Sequence, residues 1–554
     1  MHSLGLADSI VFSIYLLMVI IYGWSKYNKK DVENSQDFFF SKNSLPWWAI
    51  GACYIGANIS AEQFVGMSAS GFKMGLAIAT YEWMAAATLL VTAIFFIPAF
   101  IKKKVSTMPQ FLSQRYNGTV AMTMAIFWLM LYVVVNLTSV MYLGAIAIHS
   151  LSGYSVISCM IFLALFSIFF SMGGMKVIAY TNGLQVFFLV LGGLATSYLA
   201  IQLVSVHYDT LGLLKGFSLM TEKASDHFHM IFSPGDTYYT SLPGLTVLFG
   251  GMWIVNLNYW GCNQYIIQSA LGTDVKTARS GILFAAFIKL VIPIIVVLPG
   301  IAAFILFRDG QFQKELLVNG SVNADKAYPA LMNMLPSGLK GLSAAALTAA
   351  VVSTLTAMSN SVSTIFTLDI YKKVINKEAS EIQLVKVGRI AIIAAVFAAV
   401  IIAPFIGIDK QGGFEFIQEY TGFVSPGILA MFLLGLFWKR TTSNAALFAA
   451  FGGFFLSVGF KFFPEMIDLS FLAPTGFIVM TGTGGYEIPF LDRMGLVFII
   501  CVLVMAIISI LETRNKENPK GITMHLSEFK VSKDFAIGSA IVFVLIAATY
   551  IYFW

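Results

Sequence analysis

The sequence predicts an all-α integral membrane protein with about 14 transmembrane helices. Of its 554 residues, 58% are apolar and 11% are charged, whereas a soluble domain carries roughly 25% charged residues. Apolar stretches of about 20 residues, the length that crosses a bilayer, recur along the whole chain. These observations exclude an ordinary soluble protein. The net charge of +6 is not concentrated in a basic segment, so we expect no nucleic-acid partner.

Each predicted span is an apolar stretch between charged or Gly/Pro-rich breaks. The spans lie near residues 8–24, 46–70, 78–101, 120–149, 154–171, 178–204, 241–268, 280–307, 341–368, 387–406, 418–437, 445–462, 493–511 and 535–554. The first span has no basic region before it and no A-x-A cleavage signal after it, so it is predicted to be retained.

The distribution of positive charge predicts the orientation. With the amino terminus outside, about 23 of the Lys and Arg side chains face the cytoplasm and about ten face outwards, and positive residues are retained inside. Both termini are therefore predicted to be external. The chain carries neither G-x-x-x-x-G-K-[ST] nor H-E-x-x-H, so we expect no P-loop ATPase, no metalloprotease and no other enzyme.

Two spans contain polar residues near their middle, at residues 52–66 and 250–264. Unwound backbone survives in a membrane only where it lines a polar cavity, and paired interrupted spans indicate the substrate site of an inverted-repeat transporter. They open two blocks of five spans, 46–204 and 241–437, which must enter the membrane from opposite sides. Residues 1–45 and 438–554 are then accessory parts of one transmembrane domain.

Charged and amide side chains within spans indicate the ligand. Ionised groups at bilayer depth are costly and normally mark a pathway or a site. The candidate cavity side chains are Asn58, Gln63, Glu82, Asn256, Lys289 and Gln418. Such groups match the hydroxyls of a neutral sugar, whose C–H face could pack on Tyr259 or Trp260. A carboxylated sugar held by Lys289 stays open as an alternative.

Adjacent hydroxyls in the Ala-rich stretch 350–354 indicate an ion. Ser353 and Thr354 could face the unwound carbonyls of the second span, where transporters place Na⁺. Ser and Thr in membrane helices also bond to their own backbone, and that alternative stays open.

Long motifs along the chain resemble the solute:sodium symporter family. They are residues 44–49, 57–67, 81–84, 263–268 and 417–427. The resemblance implies a five-plus-five inverted repeat of the leucine-transporter type, with one helix before it and three after it. It also implies that the six cavity residues hold the sugar above an aromatic inner gate at Tyr259, beside Trp260.

The resemblance further implies an outer lid and a sodium site. Met67, Tyr81 and Phe414 correspond to the lid. The sodium ligands correspond to the carbonyls of Gly56, Ile59 and Ala350 and the hydroxyls of Ser353 and Thr354.

Three positions depart from the family pattern. Ala85 replaces a serine that contacts sugar, Asn182 replaces an aspartate that assists sodium release to the cytoplasm, and Ser269 replaces an arginine.

We therefore predict a symporter that moves Na⁺ and a neutral hexose, galactose or glucose, through the bacterial inner membrane, without an organic cofactor. The alternatives are another solute such as myo-inositol, a sialic acid or proline, a non-transporting sugar sensor, and a passive channel.

Overall fold

The computed structural model describes residues 4–28, 33–41, 45–318, 320–405, 413–467, 469–480, 485–514 and 516–554. Ser44 of the first family motif lies outside the described residues. The described chain is mostly helical, and its β-structure consists of two short antiparallel hairpins. Leu317–Val318 pairs with Ser321–Val322, and Val479–Met480 pairs with Tyr486–Glu487.

Every predicted span coincides with helical structure. The helical segments that make up or adjoin the predicted spans are Leu6–Lys26, Trp47–Asn58, Glu62–Lys102, Gly118–Ser152, Val156–Ser171, Gly174–His207, Gly251–Cys262, Gln264–Leu271, Val275–Arg308, Leu339–Ile375, Glu381–Phe405, Gly413–Gly422, Ser425–Phe437, Ser443–Met466, Phe490–Thr513 and Lys533–Tyr552. The short helices are Ser35–Phe40, Met108–Arg115, Leu213–Lys223, Ser225–His227, Thr246–Phe249, Gln313–Leu316, Ala324–Lys326, Ala327–Asn333, Ser470–Thr475 and Leu526–Phe529.

Membrane-spanning character is confirmed by length and composition. Within the described ranges, 10 helices are long and apolar enough to cross a bilayer, and Val156–Ser171 and Ser425–Phe437 are shorter apolar helices. One of the ten, Glu62–Lys102, changes conformation at Gly75, which has a φ of 72°, a value that glycine adopts without steric cost. The total of fourteen crossings stays a prediction.

Burial separates central helices from peripheral ones. In the most apolar window of Leu339–Ile375, 89% of residues are buried, and in that of Val275–Arg308, 72% are buried. The corresponding windows of Leu6–Lys26, Ser443–Pro464 and Lys533–Tyr552 are each only 22% buried. The first and last helices therefore lie at the periphery, where their apolar side chains face lipid.

The loops gather at two ends of the molecule. At one end, the amide of Gly338 donates to Asp8 at 2.7 Å, and the amide of Met230 donates to the carbonyl of Phe553 at 2.8 Å. Both termini therefore lie at the end that holds the loops 205–240 and 308–340, as an even number of crossings requires. At the other end, Lys520 Nζ donates to the carbonyl of Tyr116 at 2.7 Å. Which end faces the cytoplasm stays a prediction.

The second span breaks where the sequence predicts. Helix Trp47–Asn58 ends at Ile59, which has an extended backbone, and helical structure resumes at Glu62. Ser60 compensates the lost helical bonds, because its amide donates to Gln63 Oε1 at 2.9 Å and its hydroxyl accepts from the amide of Glu62 at 3.1 Å.

The seventh span differs from the prediction. Gly251–Cys262 is a continuous helix, and the breaks lie on either side of it, at Gly250 and at Asn263, near the two ends of the predicted stretch. Asn256 and Asn258 do not unwind the helix, because their side-chain amides bond to Met252 and Ser425 and leave the backbone ladder intact.

Candidate binding site

A central cavity lies beside the break in the second span. It holds about 940 Å³ of empty space, part of which is open to solvent. All six predicted ligand-binding residues line it, namely Asn58, Gln63, Glu82, Asn256, Lys289 and Gln418. The tertiary structure therefore brings together side chains from positions 58 to 418.

Glu82 and Lys289 form a buried ion pair. The distance from Lys289 Nζ to Glu82 Oε2 is 2.5 Å, and Lys289 is fully buried. The same ammonium donates to Asn58 Oδ1 and lies 5.2 Å from the ring centre of Trp260. With its positive charge neutralised by Glu82, the lysine is not a free anchor for an anionic ligand.

Tyr259 lies next to this pair. Its hydroxyl accepts a hydrogen bond from Asn58 Nδ2 at 3.1 Å. Its ring packs edge-on against Trp260 and Tyr265, with centroid distances of 5.0 and 5.8 Å. An aromatic surface and hydroxyl-matching polar groups therefore meet in one cavity.

Asn256 and Gln63 also have protein partners. Asn256 donates to the carbonyl of Met252 at 3.1 Å and accepts from the Trp260 indole at 3.2 Å. Gln63 Oε1 accepts from Ser60, as described above. Asn256 therefore fixes the Trp260 ring, and Gln63 fixes the break, in addition to lining the cavity.

Sequence reasoning missed several lining residues. Glu62 Oε1 accepts from Gln418 Nε2 at 3.3 Å and so joins the second span to residue 418. Asn258, Tyr265 and Thr421 also line the cavity. The position of Glu62 beside Gln63, in a polar part of an apolar span, could have marked it as a cavity residue. Its partner Gln418 could not be predicted, because it lies 356 residues away.

The predicted outer-lid residues are in contact. The rings of Tyr81 and Phe414 meet edge-on at 5.1 Å. Met67 is fully buried, and Phe414 is 2% exposed. Next to Phe414, and before the predicted span 418–437, burial raises the pKa of the Glu415 carboxyl, and the charge of Lys73 opposes that shift.

Oxygen atoms cluster beside the cavity around Thr354. Its Oγ1 lies 2.9 Å from the carbonyl oxygen of Gly56 and 3.1 Å from those of Ile59 and Ala350. Ser353 Oγ lies 3.0 Å from the same Ala350 oxygen. A hydroxyl donates only one hydrogen bond, so Thr354 cannot satisfy three carbonyls at once. The five oxygens predicted as sodium ligands therefore lie in one group, in which Ser353 and Thr354 also bond to a carbonyl of their own helix.

Two of the three departures share a second, smaller pocket. Asn182 and Ser269 line a space of about 240 Å³ together with Cys53 and Tyr265. Within the described part of the chain, neither polar atom of the Asn182 side chain has a hydrogen-bond partner. A Cβ on Gly56 would lie 3.2 Å from Asn182 Nδ2, so this amide adjoins the oxygen cluster. The third departure, Ala85, lines the main cavity.

The model of the sodium:solute symporter family matches residues 38–453. The chain belongs to the sodium:solute symporter family. It is therefore a membrane transport protein, and its predicted family and its predicted transport class are confirmed.

Similar proteins extend over most of the chain. The sodium/glucose cotransporter of Vibrio parahaemolyticus is 44% identical, over 100% of this chain and 99% of that protein. Sodium/myo-inositol cotransporter 2 of Oryctolagus cuniculus is 32% identical, over 85% of this chain and 72% of that protein.

A solved structure has the same fold. The substrate-bound outward-open state of a Na⁺-coupled sialic acid symporter has a TM-score of 0.74, covering 92% of this chain and 98% of that one, with 21% identity. The predicted helical membrane fold of the leucine-transporter type is confirmed.

Proposed function

We propose that this protein imports a neutral hexose, galactose or glucose, together with Na⁺ by alternating access. The observation that carries the proposal is that one broken segment borders two sites. Asn58 and Gln63 line the main cavity, while the carbonyls of Gly56 and Ile59 meet Thr354. An ion at the carbonyls would hold the break in the shape that places the amides for the sugar.

Coupling follows from this shared segment. Na⁺ binding lowers the free energy of the sugar-competent conformation, and by linkage the sugar tightens Na⁺ to the same extent. One charge that moves inward through 100 mV supplies about 2.3 kcal/mol in addition to the sodium concentration gradient. The carbonyls and hydroxyls bind and orient the ion, and the cavity amides and the Glu82–Lys289 pair bind the sugar hydroxyls.

The ion pair favours a neutral substrate. Lys289 contacts Glu82 and Asn58, so a carboxylate ligand would have to compete with Glu82 for the ammonium. That competition disfavours a sialic acid or proline, whose recognition needs a free charge. Myo-inositol presents only hydroxyls, and it is the second candidate because a sodium/myo-inositol cotransporter is among the relatives.

Two gates enclose the proposed sugar. Met67, Tyr81 and Phe414 form the outer lid, and Tyr259 with Trp260 forms the inner gate. Opening of the inner gate requires Tyr259 to release Asn58, a bond of 3.1 Å. Sugar bound to Asn58 would compete for that amide and so favour release.

Ion exit is proposed to pass Asn182. This amide has unpartnered polar atoms and adjoins Gly56, so it can take a departing ion without first breaking an existing bond. A neutral amide attracts a cation less than a carboxylate does. We therefore expect Asn182→Asp to bind the departing ion more tightly, so that a lower Na⁺ concentration on the cytoplasmic side inhibits transport. Inside-out vesicles, whose cytoplasmic side faces the medium, allow this concentration to be varied.

The proposed location is the inner membrane of a bacterium, with both termini outside. The positive-charge distribution supports this orientation, and the termini lie together at one end of the fold. Protease accessibility of a carboxy-terminal tag in intact spheroplasts and in lysed ones tests it.

Uptake into proteoliposomes tests the function. Labelled galactose, glucose and myo-inositol are offered under an inward Na⁺ gradient and under an equal K⁺ gradient. Gln418→Ala is the site variant, because the only hydrogen bond of its side chain among the described residues goes to Glu62. Gln311→Ala, in an exposed loop, is the matched control.

We expect the unmodified protein and Gln311→Ala to accumulate sugar above equilibrium when Na⁺ is present. Gln418→Ala should lose this accumulation. Accumulation of myo-inositol alone would replace the hexose with a cyclitol. Sugar binding without accumulation would instead establish a sensor, and uptake that stops at equilibrium would establish a passive pathway.

A further inference from the structure

A groove lies on the outer surface, away from the transport cavity, at the end of the molecule that carries Lys26 and Lys386 and is called the basic end below. It holds about 850 Å³ of empty space, part of which is open to the surroundings, between the end of helix Leu6–Lys26 and the start of helix Gly174–His207. Its lining residues are Gly23, Trp24, Tyr27, Phe169, Met172, Gly173, Val177 and Arg389. Arg389 is the only charged residue among them, so the groove is apolar along its length and cationic at one point.

Arg389 has unused hydrogen-bonding capacity. Its Nη2 donates to the carbonyl of Met172 at 3.2 Å, and its guanidinium lies 5.7 Å from the ring centre of Phe38. Among the described residues, its Nε–H is buried without a hydrogen-bond partner, so a phosphate from outside would have to bind the two Nη groups. A guanidinium carries five N–H donors in a fork that matches phosphate oxygens.

Aromatic side chains of the groove are exposed on the surface of the molecule. Trp24 is 69% exposed, and Phe169 and Tyr27 are 43% and 42% exposed. Trp and Tyr collect at the headgroup level of membranes. Near the same rim, Lys26 Nζ lies 4.8 Å from the ring centre of Tyr180 and adds a second positive charge.

We propose that this groove binds an anionic glycerophospholipid of the leaflet at the basic end of the protein. Its phosphate pairs with Arg389, and one acyl chain lies along Trp24 and Phe169. Charge complementarity identifies the occupant, because the lining carries a cation and no carboxylate. Basic pockets between transmembrane helices at the positively charged face are sites of anionic lipid headgroups.

Native mass spectrometry of the full chain tests the site. The protein is purified with phosphatidylglycerol or with phosphatidylcholine, and the lipid retained after detergent release is counted. Arg389→Gln removes the guanidinium. Lys386→Gln removes an exposed charge three residues earlier on the same helix, outside the groove, and is the matched control.

The expected result is that phosphatidylglycerol is retained by the unmodified protein and by Lys386→Gln. Arg389→Gln should reduce its retention about tenfold or more, the loss of a charge-assisted hydrogen bond. Equal retention of phosphatidylcholine, or an equal loss in both variants, would overturn the proposal. Soluble glycerophosphate should not displace the lipid, because it lacks the acyl chains.

A second variant keeps the proposal testable if Arg389→Gln does not fold. Phe169→Ala removes an exposed ring from the groove wall and leaves Arg389 in place. Reduced retention of phosphatidylglycerol in Phe169→Ala supports acyl-chain binding, whereas unchanged retention contradicts it.

Discussion

Replacing Thr354 with valine tests the proposed cation site most directly. Valine keeps the shape of threonine and removes only the hydroxyl. Thr354 is 1% exposed, and its Oγ1 lies within 3.1 Å of three carbonyl oxygens. The substitution therefore deletes one of five proposed ion ligands without opening a cavity.

The expected cost follows from the chemistry of one lost oxygen. An interaction between a polar group and a charge contributes about 1.5 to 3 kcal/mol. That loss corresponds to an increase of roughly 10-fold to 150-fold in the Na⁺ concentration needed for half-maximal uptake. Sugar affinity at saturating Na⁺ should change little, because Thr354 is not among the proposed sugar-binding side chains.

The assay is the Na⁺ dependence of sugar uptake in proteoliposomes, together with equilibrium Na⁺ binding without sugar. Thr356→Val is the matched control, because Thr356 is 2% exposed on the same helix and, within the described ranges, its hydroxyl donates only to the carbonyl of Ser353, at 2.8 Å. Thr354→Ser restores the hydroxyl and should restore Na⁺ affinity.

Two results would refute the reasoning. Unchanged Na⁺ activation in Thr354→Val would mean that this oxygen cluster is not the coupling site. An equal shift in Thr356→Val would mean that both substitutions act through helix stability and not through an ion ligand.

Three further predictions concern the cavity and its lid. Glu82→Gln leaves the Lys289 ammonium buried without a countercharge, so we expect a loss of about 3 to 5 kcal/mol of stability in thermal unfolding, and recovery of part of it in the double variant with Lys289→Gln. Ala85→Ser adds a hydroxyl to the cavity, so sugar affinity measured by calorimetry should rise about 2-fold to 10-fold. Burial raises the pKa of the Glu415 carboxyl in the closed lid. Lid closure is therefore fully favoured below the ordinary pKa of 4.5 and weakens as pH rises through the raised pKa. Glu415→Gln should abolish this pH dependence of lid closure, measured by labelling of a cysteine placed at Met67.

Each of these predictions has a contradicting outcome. Wild-type stability in Glu82→Gln would show that water, and not Glu82, compensates Lys289. Unchanged affinity in Ala85→Ser would place residue 85 outside the sugar contact. Lid labelling that keeps its pH dependence in Glu415→Gln would assign the titration to another group.

The span pattern and the polar residues of the cavity were predictable from the sequence. Both follow from the free energy of placing each residue in a membrane, which depends on the residue and its neighbours in the chain. A carboxylate or an ammonium among apolar residues is expensive in a membrane wherever it lies, so Glu82 and Lys289 stand out without knowledge of their partners. The break at Ile59 was predictable for the same reason, since polar residues interrupt an apolar span there.

Only the tertiary structure decided which groups are engaged and which are available. Asn256 is occupied by Trp260, Glu62 bonds to Gln418, and Thr354 meets carbonyls that lie 295 and 298 residues away. Such pairings depend on how helices pack, and local propensity carries no information about them. The seventh span breaks at the two ends of helix Gly251–Cys262 and not at its Asn-rich centre, because side-chain bonds there leave the helical backbone ladder intact.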